Sequence, residues 1–210
     1  MSELEHPWSL EEEAFSEGWT AVCGADEAGA GPLAGPVYAA AVILPPGLMI
    51  EGLNDSKKLS AKKRDALFDR ICGDALSFAV SSASVEEIEE MNILNARLLA
   101  MQRAMDAMGL APDFALIDGN RDHGDRCTIR MAHRMVVGGD GRSASIAAAS
   151  ILAKVSRDRF VCEVMDREFP RYQFAVHKGY GTKLHYKMLD AYGPCPAHRM
   201  SFLKKWESRR

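Results

Sequence analysis

Four carboxylates sit where apolar runs of this chain come to an end. Asp26 and Glu27 close "TAVCGADEAG", Asp118 closes "DFALIDGN", and Asp140 lies near the end of "HRMVVGGDGR". Open α/β sheets build their sites at strand ends, so three such strands lying side by side would bring the acids together. A cluster of Asp and Glu with no His or Cys partner is a hard-oxygen donor set suited to Mg²⁺ or Mn²⁺. Without a cation the cluster repels itself, and some of its members must protonate. Two such ions about 4 Å apart activate a water and stabilise a leaving oxygen in phosphodiester hydrolysis. Each acid alone has a plainer explanation, a solvated turn, an N-cap or an Asp-Gly turn; their convergence carries the chemistry. One difficulty is geometric, because adjacent side chains of a regular strand point to opposite faces. Asp26 and Glu27 share a site only if the strand twists or breaks there, and the glycines of "AGAGPLAGP" are expected to supply that break.

The elements that must position these acids follow from pattern. "TAVCGADEAG", "PVYAAAVIL" and "ALSFAVSSAS" read as strands, the first two antiparallel because their connection is short. The latter part of "NDSKKLSAKKRDALFDRICGDA" reads as a helix with Leu67, Ile71 and Ala75 on one face. Ser84 and Glu87 have the capping-box spacing. They open a helix striped by Met91, Leu94, Leu98, Met101, Met105 and Met108, which reads as core, with Gly109 as its stop. Strands ending at Asp118 and near Asp140 come next, then a long helix from Ser143 whose alanines and serines let it lie close on a sheet. The tail, 170–210, is basic and aromatic and reads as short helices. This order predicts an α/β domain with a mixed sheet.

The 210 residues, 47 % hydrophobic, suit one large domain or a domain with a small appendage. No apolar run is long enough to span a membrane. The start, "MSELEHPWSLEEEAFSEGW", lacks the basic head and apolar centre of a signal peptide, so a cytoplasmic protein is expected. Five scattered cysteines point to reduced thiols; Cys195 and His198 have a zinc-like spacing, but no second pair completes a site. The net charge of −3 hides an asymmetry. Residues 1–149 hold 13 Lys+Arg against 23 Asp+Glu, and residues 150–210 hold 13 against 6. A basic C-terminal third is either a phosphate-binding face or an ordinary solvated helical surface.

Six blocks, "DEAGAGPLAGPV", "NDSKKLS", "EEMNILNARLLAMQRAM", "LIDGN", "VVGGDGRSASIAAASILAKVSRD" and "HKGYGTKLHYKMLDAYGPCPAHRMSF", occur in the order and spacing of ribonuclease HII, the bacterial type 2 ribonuclease H. The resemblance covers roughly residues 20–203. It implies a ribonuclease H-like fold, a mixed five-stranded sheet flanked by helices with a C-terminal helical extension. The expected division is an acidic lead-in (1–18), a catalytic domain (19–168) and a basic helical extension packed on it (169–210). It implies cleavage of the RNA strand of RNA–DNA hybrids, and cleavage 5′ to single ribonucleotides in duplex DNA, leaving 3′-hydroxyl and 5′-phosphate ends by two-metal-ion catalysis with Mg²⁺ or Mn²⁺.

The family's acidic quartet matches Asp26, Glu27, Asp118 and Asp140; Asp158, a rival for Asp140, lies well inside a helix. The family's Gly-Arg-Gly loop, whose backbone reads the ribose 2′-hydroxyl, stands here as Gly29-Ala30-Gly31, without the arginine's charge. Tyr180 matches the tyrosine that packs on the sugar 3′ of the scissile junction. Lys57, Lys58, Lys178 and Lys183 are candidate phosphate contacts, and Asn92 and Asn95 candidate contacts to the DNA strand. The implied partners are RNA–DNA hybrids and ribonucleotide-containing duplexes, with no membrane, and monomer is the default. Two rival readings are an acid-cluster nuclease indifferent to ribose, such as a junction resolvase, and a catalytically silent hybrid binder.

Overall fold

The computed structural model describes residues 7–53 and 59–208. β1 (Val22–Ala28), β2 (Val37–Ile43) and β3 (Ser77–Ala83) form an antiparallel meander. β4 (Phe114–Asp118) and β5 (His133–Val136) add in parallel beyond β1, giving a five-stranded mixed sheet in the order β3-β2-β1-β4-β5. The switch to parallel pairing needs a crossover, and α3 (Val85–Asp106) supplies it between β3 and β4.

The pleat divides the core in two. Cys23, Ala25, Ala39, Ala41, Ala115 and Ile117 face α3 and meet its Leu98, Met101 and Met105, so the methionine stripe is core. The alternate positions face α4 (Ala144–Phe160). Ala40 and Val42 pack on its Ala148, Ala149 and Leu152, and Val22, Leu116 and Val136 pack on Ile146. A Cβ at Gly24 would lie 2.1 Å from the backbone of Ser145, so even alanine there would push α4 off the sheet. α2 (Ala61–Asp74) completes this layer with Leu67 and Ile71 buried.

Three expectations need correction. β1 does not break at its acids: it stays paired with β2 through Asp26↔Ala40, Glu27↔Ala39 and Ala28↔Tyr38, because β2 offers an uninterrupted ladder to its very start. α3 is not continuous. Asn92 has φ 67° and ψ 165° inside it, and its Oδ1 accepts the Asn95 N–H at 3.2 Å, the hydrogen bond of an N-cap restarting the helix. Asp140 does not end a strand either; β5 stops at Val136 and the acid is carried by a single 3-10 turn, Gly139–Gly141.

α1 (Ser9–Ser16) braces the start of α4. The buried Glu11 accepts hydrogen bonds at Oε1 from Ser143 Oγ (2.5 Å), Ser145 Oγ (2.5 Å) and Ser145 N (3.0 Å), and a carboxylate is favoured at a helix N-terminus. At its other end α4 runs through a π segment, Val161–Met165, into α5 (Asp166–Glu168); α6 (Phe174–His177), α7 (Lys183–Tyr192) and α8 (Lys204–Glu207) follow. These pieces pack around the loop after β1. Val161, Met165, Tyr172 and Phe174 cluster with Ala34, and Leu189, Leu203 and Trp206 with Leu33. Among the described residues no helix is long and apolar enough to cross a membrane.

Candidate active site

Even-numbered positions of β1 and β4 face α4, which places Asp26 and Asp118 on the same side of the sheet. Asp26 is buried; its Oδ1 accepts the Glu27 N–H at 2.6 Å, and Ser150 of α4 also bonds its carboxyl. Burial first, then the charges of Glu27 and Asp118, push the Asp26 carboxyl well above the usual carboxylate range, against the pull of those hydrogen bonds. Asp118, the last residue of β4, accepts the Gly139 N–H at 2.7 Å. That bond ties the strand end to the turn bearing the buried Asp140. Glu27, one position along, faces α3, where its Oε1 lies 3.3 Å from Arg97 Nη1. No local motif marks Arg97, which meets Glu27 across 70 residues. Asp158, the rival acid, pairs with Lys154 one turn back on α4 (2.9 Å).

Among the described residues no three Asp, Glu, His or Cys side chains are grouped so as to hold one ion. The donor set nonetheless fits a hard divalent cation: it is made of carboxylates, and a buried carboxyl whose charge its neighbours oppose is the kind of group a cation relieves.

Residues 23–205, nearly the whole sheet and its helices, match the family model of Ribonuclease HII. The chain belongs to the ribonuclease HII family. A ribonuclease HII from Caldicellulosiruptor bescii is 47 % identical over 204 residues, 97 % of each chain. The crystal structure of the ribonuclease H2 from Pyrococcus horikoshii OT3 shares the fold with a TM-score of 0.71 at 23 % identity, over 90 % of this chain and 98 % of that one. The crystal structure of Bst-RNase HIII in complex with Mn²⁺ has a TM-score of 0.59 at 20 % identity, over 82 % and 63 %. The fold is thus ribonuclease H-like, and the activity is that of a ribonuclease H-type nuclease, a hydrolase of a divalent-metal-dependent family.

The loop that the ribonuclease HII resemblance assigns to ribose lies beside this end of α4. Gly29 has φ +99°, and a Cβ there would sit 2.2 Å from Arg157 Nε; the packing demands glycine. Gly31 is exposed, with no described atom within 4 Å of where its Cβ would stand. Two wholly buried arginines hold the loop from beneath. Arg199 donates to the carbonyls of Gly29 (2.7 Å), Ala30 (3.0 Å) and Gly35 (2.8 Å). Arg157 donates to those of Ala34 (3.3 Å), Pro36 (3.3 Å) and Lys178 (3.1 Å). Two of the basic residues of the C-terminal third therefore act inside the protein.

Tyr180 is 40 % exposed, its ring 5.6 Å from Lys154 Nζ and 5.7 Å from the Arg157 guanidinium. Ser150, Lys154 and Arg157 recur at helical spacing on one face of α4. They carry the site from Asp26 to Tyr180 over about 10 Å of helix axis.

The remaining sequence candidates divide. Lys183 is exposed in the first turn of α7. Lys178 is spent internally, its Nζ donating to Ala175 O (2.7 Å) and to Cys162 Sγ. Asn92 caps the second half of α3. Asn95 is fully buried and does not face solvent. Its side chain bonds Met91 O, Asp125, and the N–H groups of Arg126 and Cys127, so it builds the 125–127 loop instead of touching DNA. Lys57 and Lys58 lie outside the described residues. His198 and Cys195 bond each other, Sγ to Nδ1 at 3.2 Å, within an imidazole cluster.

Proposed function

We propose that this chain hydrolyses the RNA strand of RNA–DNA hybrids and cuts duplex DNA 5′ to a single embedded ribonucleotide, leaving 3′-hydroxyl and 5′-phosphate ends. The observation that supports this best is the gathering of Asp26, Asp118 and the Asp140 turn at one sheet end, one helix face away from Tyr180 and the exposed Gly31. Asp26, Asp118 and Asp140 would hold Mg²⁺ or Mn²⁺; Glu27, whose charge is felt at Asp26, would join them by turning from Arg97 around the unbroken strand. Held there, such ions would supply a water of lowered pKa and charge compensation for a departing 3′-oxygen.

The protein's own part is positional. Ser150 and the Glu27 N–H aim the Asp26 carboxyl, and Gly139 N–H fixes Asp118. The protein gives no packing reason for glycine at position 31, which suits close approach of a sugar to the backbone. There the loop's N–H groups read the 2′-hydroxyl, the group that tells RNA from DNA. Tyr180 presents an aromatic face to the unsubstituted deoxyribose beyond the junction, and Lys183 contacts phosphate.

The test is cleavage of a labelled DNA duplex carrying one ribonucleotide, beside an all-DNA duplex and an RNA–DNA hybrid, with Mg²⁺, Mn²⁺ or chelator. A metal-dependent cut 5′ to the ribonucleotide, absent from the all-DNA duplex, is expected. Cutting of DNA junctions that contain no ribose would overturn the reading, as would tight binding with no cut under either metal.

A further inference from the structure

We propose that Arg199 is the positioning residue of the ribose-reading loop: its guanidinium turns the Gly29–Ala30 and Ala30–Gly31 peptide planes so that the Ala30 and Gly31 N–H groups face outward as paired donors, and it thereby sets how strictly a ribonucleotide is selected. This rests on loop 29–31 being the ribose reader.

Every peptide bond described is trans, and in a trans plane the carbonyl of one residue and the N–H of the next point opposite ways. Arg199 draws the carbonyls of Gly29 and Ala30 inward. The N–H groups of Ala30 and Gly31 are therefore directed away from it, on the side where Gly31 is exposed. The guanidinium is a rigid planar fork, so taking the Gly29, Ala30 and Gly35 carbonyls together fixes the loop's tip and its base in one geometry. A cation at the carbonyl ends also polarises each amide, which strengthens its outward donor.

Stability alone does not account for this side chain. Among the described residues no carboxylate lies within ion-pair distance of Arg199, and burial first, then Arg157, brings its pKa down to about 9. Glu89 attracts it from beyond ion-pair distance and does not offset the burial, and a buried cation so weakly compensated is costly compared with an apolar side chain of similar volume. The two segments it joins are also tied by backbone bonds. Arg199 N–H bonds Leu33 O (2.8 Å), Gly35 N–H bonds Ala197 O (2.8 Å), and Ala34 bridges His198. This ladder does not involve the Arg199 side chain, so a variant can keep the segments joined while freeing the carbonyls of Gly29, Ala30 and Gly35.

The experiment compares wild type, Arg199→Lys and Arg199→Gln by fluorescence anisotropy on two duplexes that differ by one 2′-hydroxyl, with Ca²⁺ present, alongside melting curves. Wild type is expected to bind the ribonucleotide duplex at least tenfold more tightly than the all-DNA one. Arg199→Lys, whose ammonium cannot fork, should keep its affinity for all-DNA duplex and lose most of the preference; Arg199→Gln should do the same. A folded variant that retains the wild-type preference overturns the proposal. So does an equal loss on both duplexes, which marks a merely structural role. If wild type shows no preference, the loop does not read ribose; that failure is visible before any variant is compared, and it removes the proposal with it. Should both variants unfold, amide exchange of wild type followed by NMR decides. Ala30 and Gly31 amides should slow on adding ribonucleotide duplex and not all-DNA duplex, while Leu33 and Gly35, already bonded to Gly179 O and Ala197 O, stay slow throughout. No slowing at Ala30 and Gly31 overturns it.

Discussion

His198 Nε2 stands 3.0 Å from His185 Nε2, and that contact assigns the protons of both rings. His185 Nδ1 lies 3.0 Å from the Tyr180 carbonyl, which only accepts, so Nδ1 carries the proton and Nε2 is bare. His198 must then donate from Nε2, leaving its Nδ1 to accept the Cys195 N–H at 3.0 Å. Both imidazoles are neutral, with His177 stacked on His185 at 4.2 Å. Burial holds each pKa down to about 4. The unfolded rings titrate near 6.5, so between those values the unfolded chain binds more protons than the folded one. Stability is full above pH ~6.5 and falls as pH drops toward 4, by on the order of 3 kcal/mol for one such ring. Urea unfolding at pH 7, 6 and 5 should show this decline, and an unchanged midpoint would remove the neutral pair.

Asp118→Asn should abolish turnover without disturbing the fold. An asparagine Oδ1 still accepts the Gly139 N–H that the carboxylate accepts now, so only the charge is lost. Cleavage is expected to fall by roughly 10³-fold, the scale of losing one preorganised electrostatic contact, while melting and hybrid binding change little. Near-normal turnover would take Asp118 out of the metal set.

Tyr180 separates ring from hydroxyl. Its ring rests near Lys154 and Arg157, contacts that phenylalanine preserves. Tyr180→Phe should keep most activity, whereas Tyr180→Ala should lose roughly 1–3 kcal/mol of packing on the nucleic acid, about 5- to 150-fold in affinity. Equal, small effects from both would make Tyr180 structural.

Ala30 is half-buried, and its carbonyl is held by Arg199. Ala30→Arg therefore adds a cation to a loop whose backbone is already set. Binding to the ribonucleotide duplex should tighten, with the salt dependence steeper by about one ion. An unchanged affinity and slope would show that the missing arginine has no consequence for this chain.

The sheet was legible because its strands are short apolar runs bounded by glycine, proline and helix caps, and the nearness of Asp26 and Asp118 followed from both closing apolar runs whose strands pair side by side. Less legible was how those acids sit. The glycines after Glu27 suggested a broken strand, yet pairing with Ala39 and Ala40 carries β1 through both acids and sends Glu27 toward Arg97. Asn95 looked like surface chemistry and is core, whereas Asn92 caps the restarted helix and remains exposed. Glu11, Arg157 and Arg199 were not readable, since each takes its role from groups more than a hundred residues away. No local spacing encodes such a partner.

The hydrogen bond from Arg199 to Gly29 spans 170 residues, and on a ribosome that separation is an interval of time. At about 5–20 residues per second, the loop waits roughly 10–30 s for the side chain that holds its tip. Asp118 and Asp140 emerge within that interval, so all four acids precede the side chain that holds the loop. An interrupted chain ending before Arg199 is left with the acids and without the side chain that holds the Gly29 and Ala30 carbonyls.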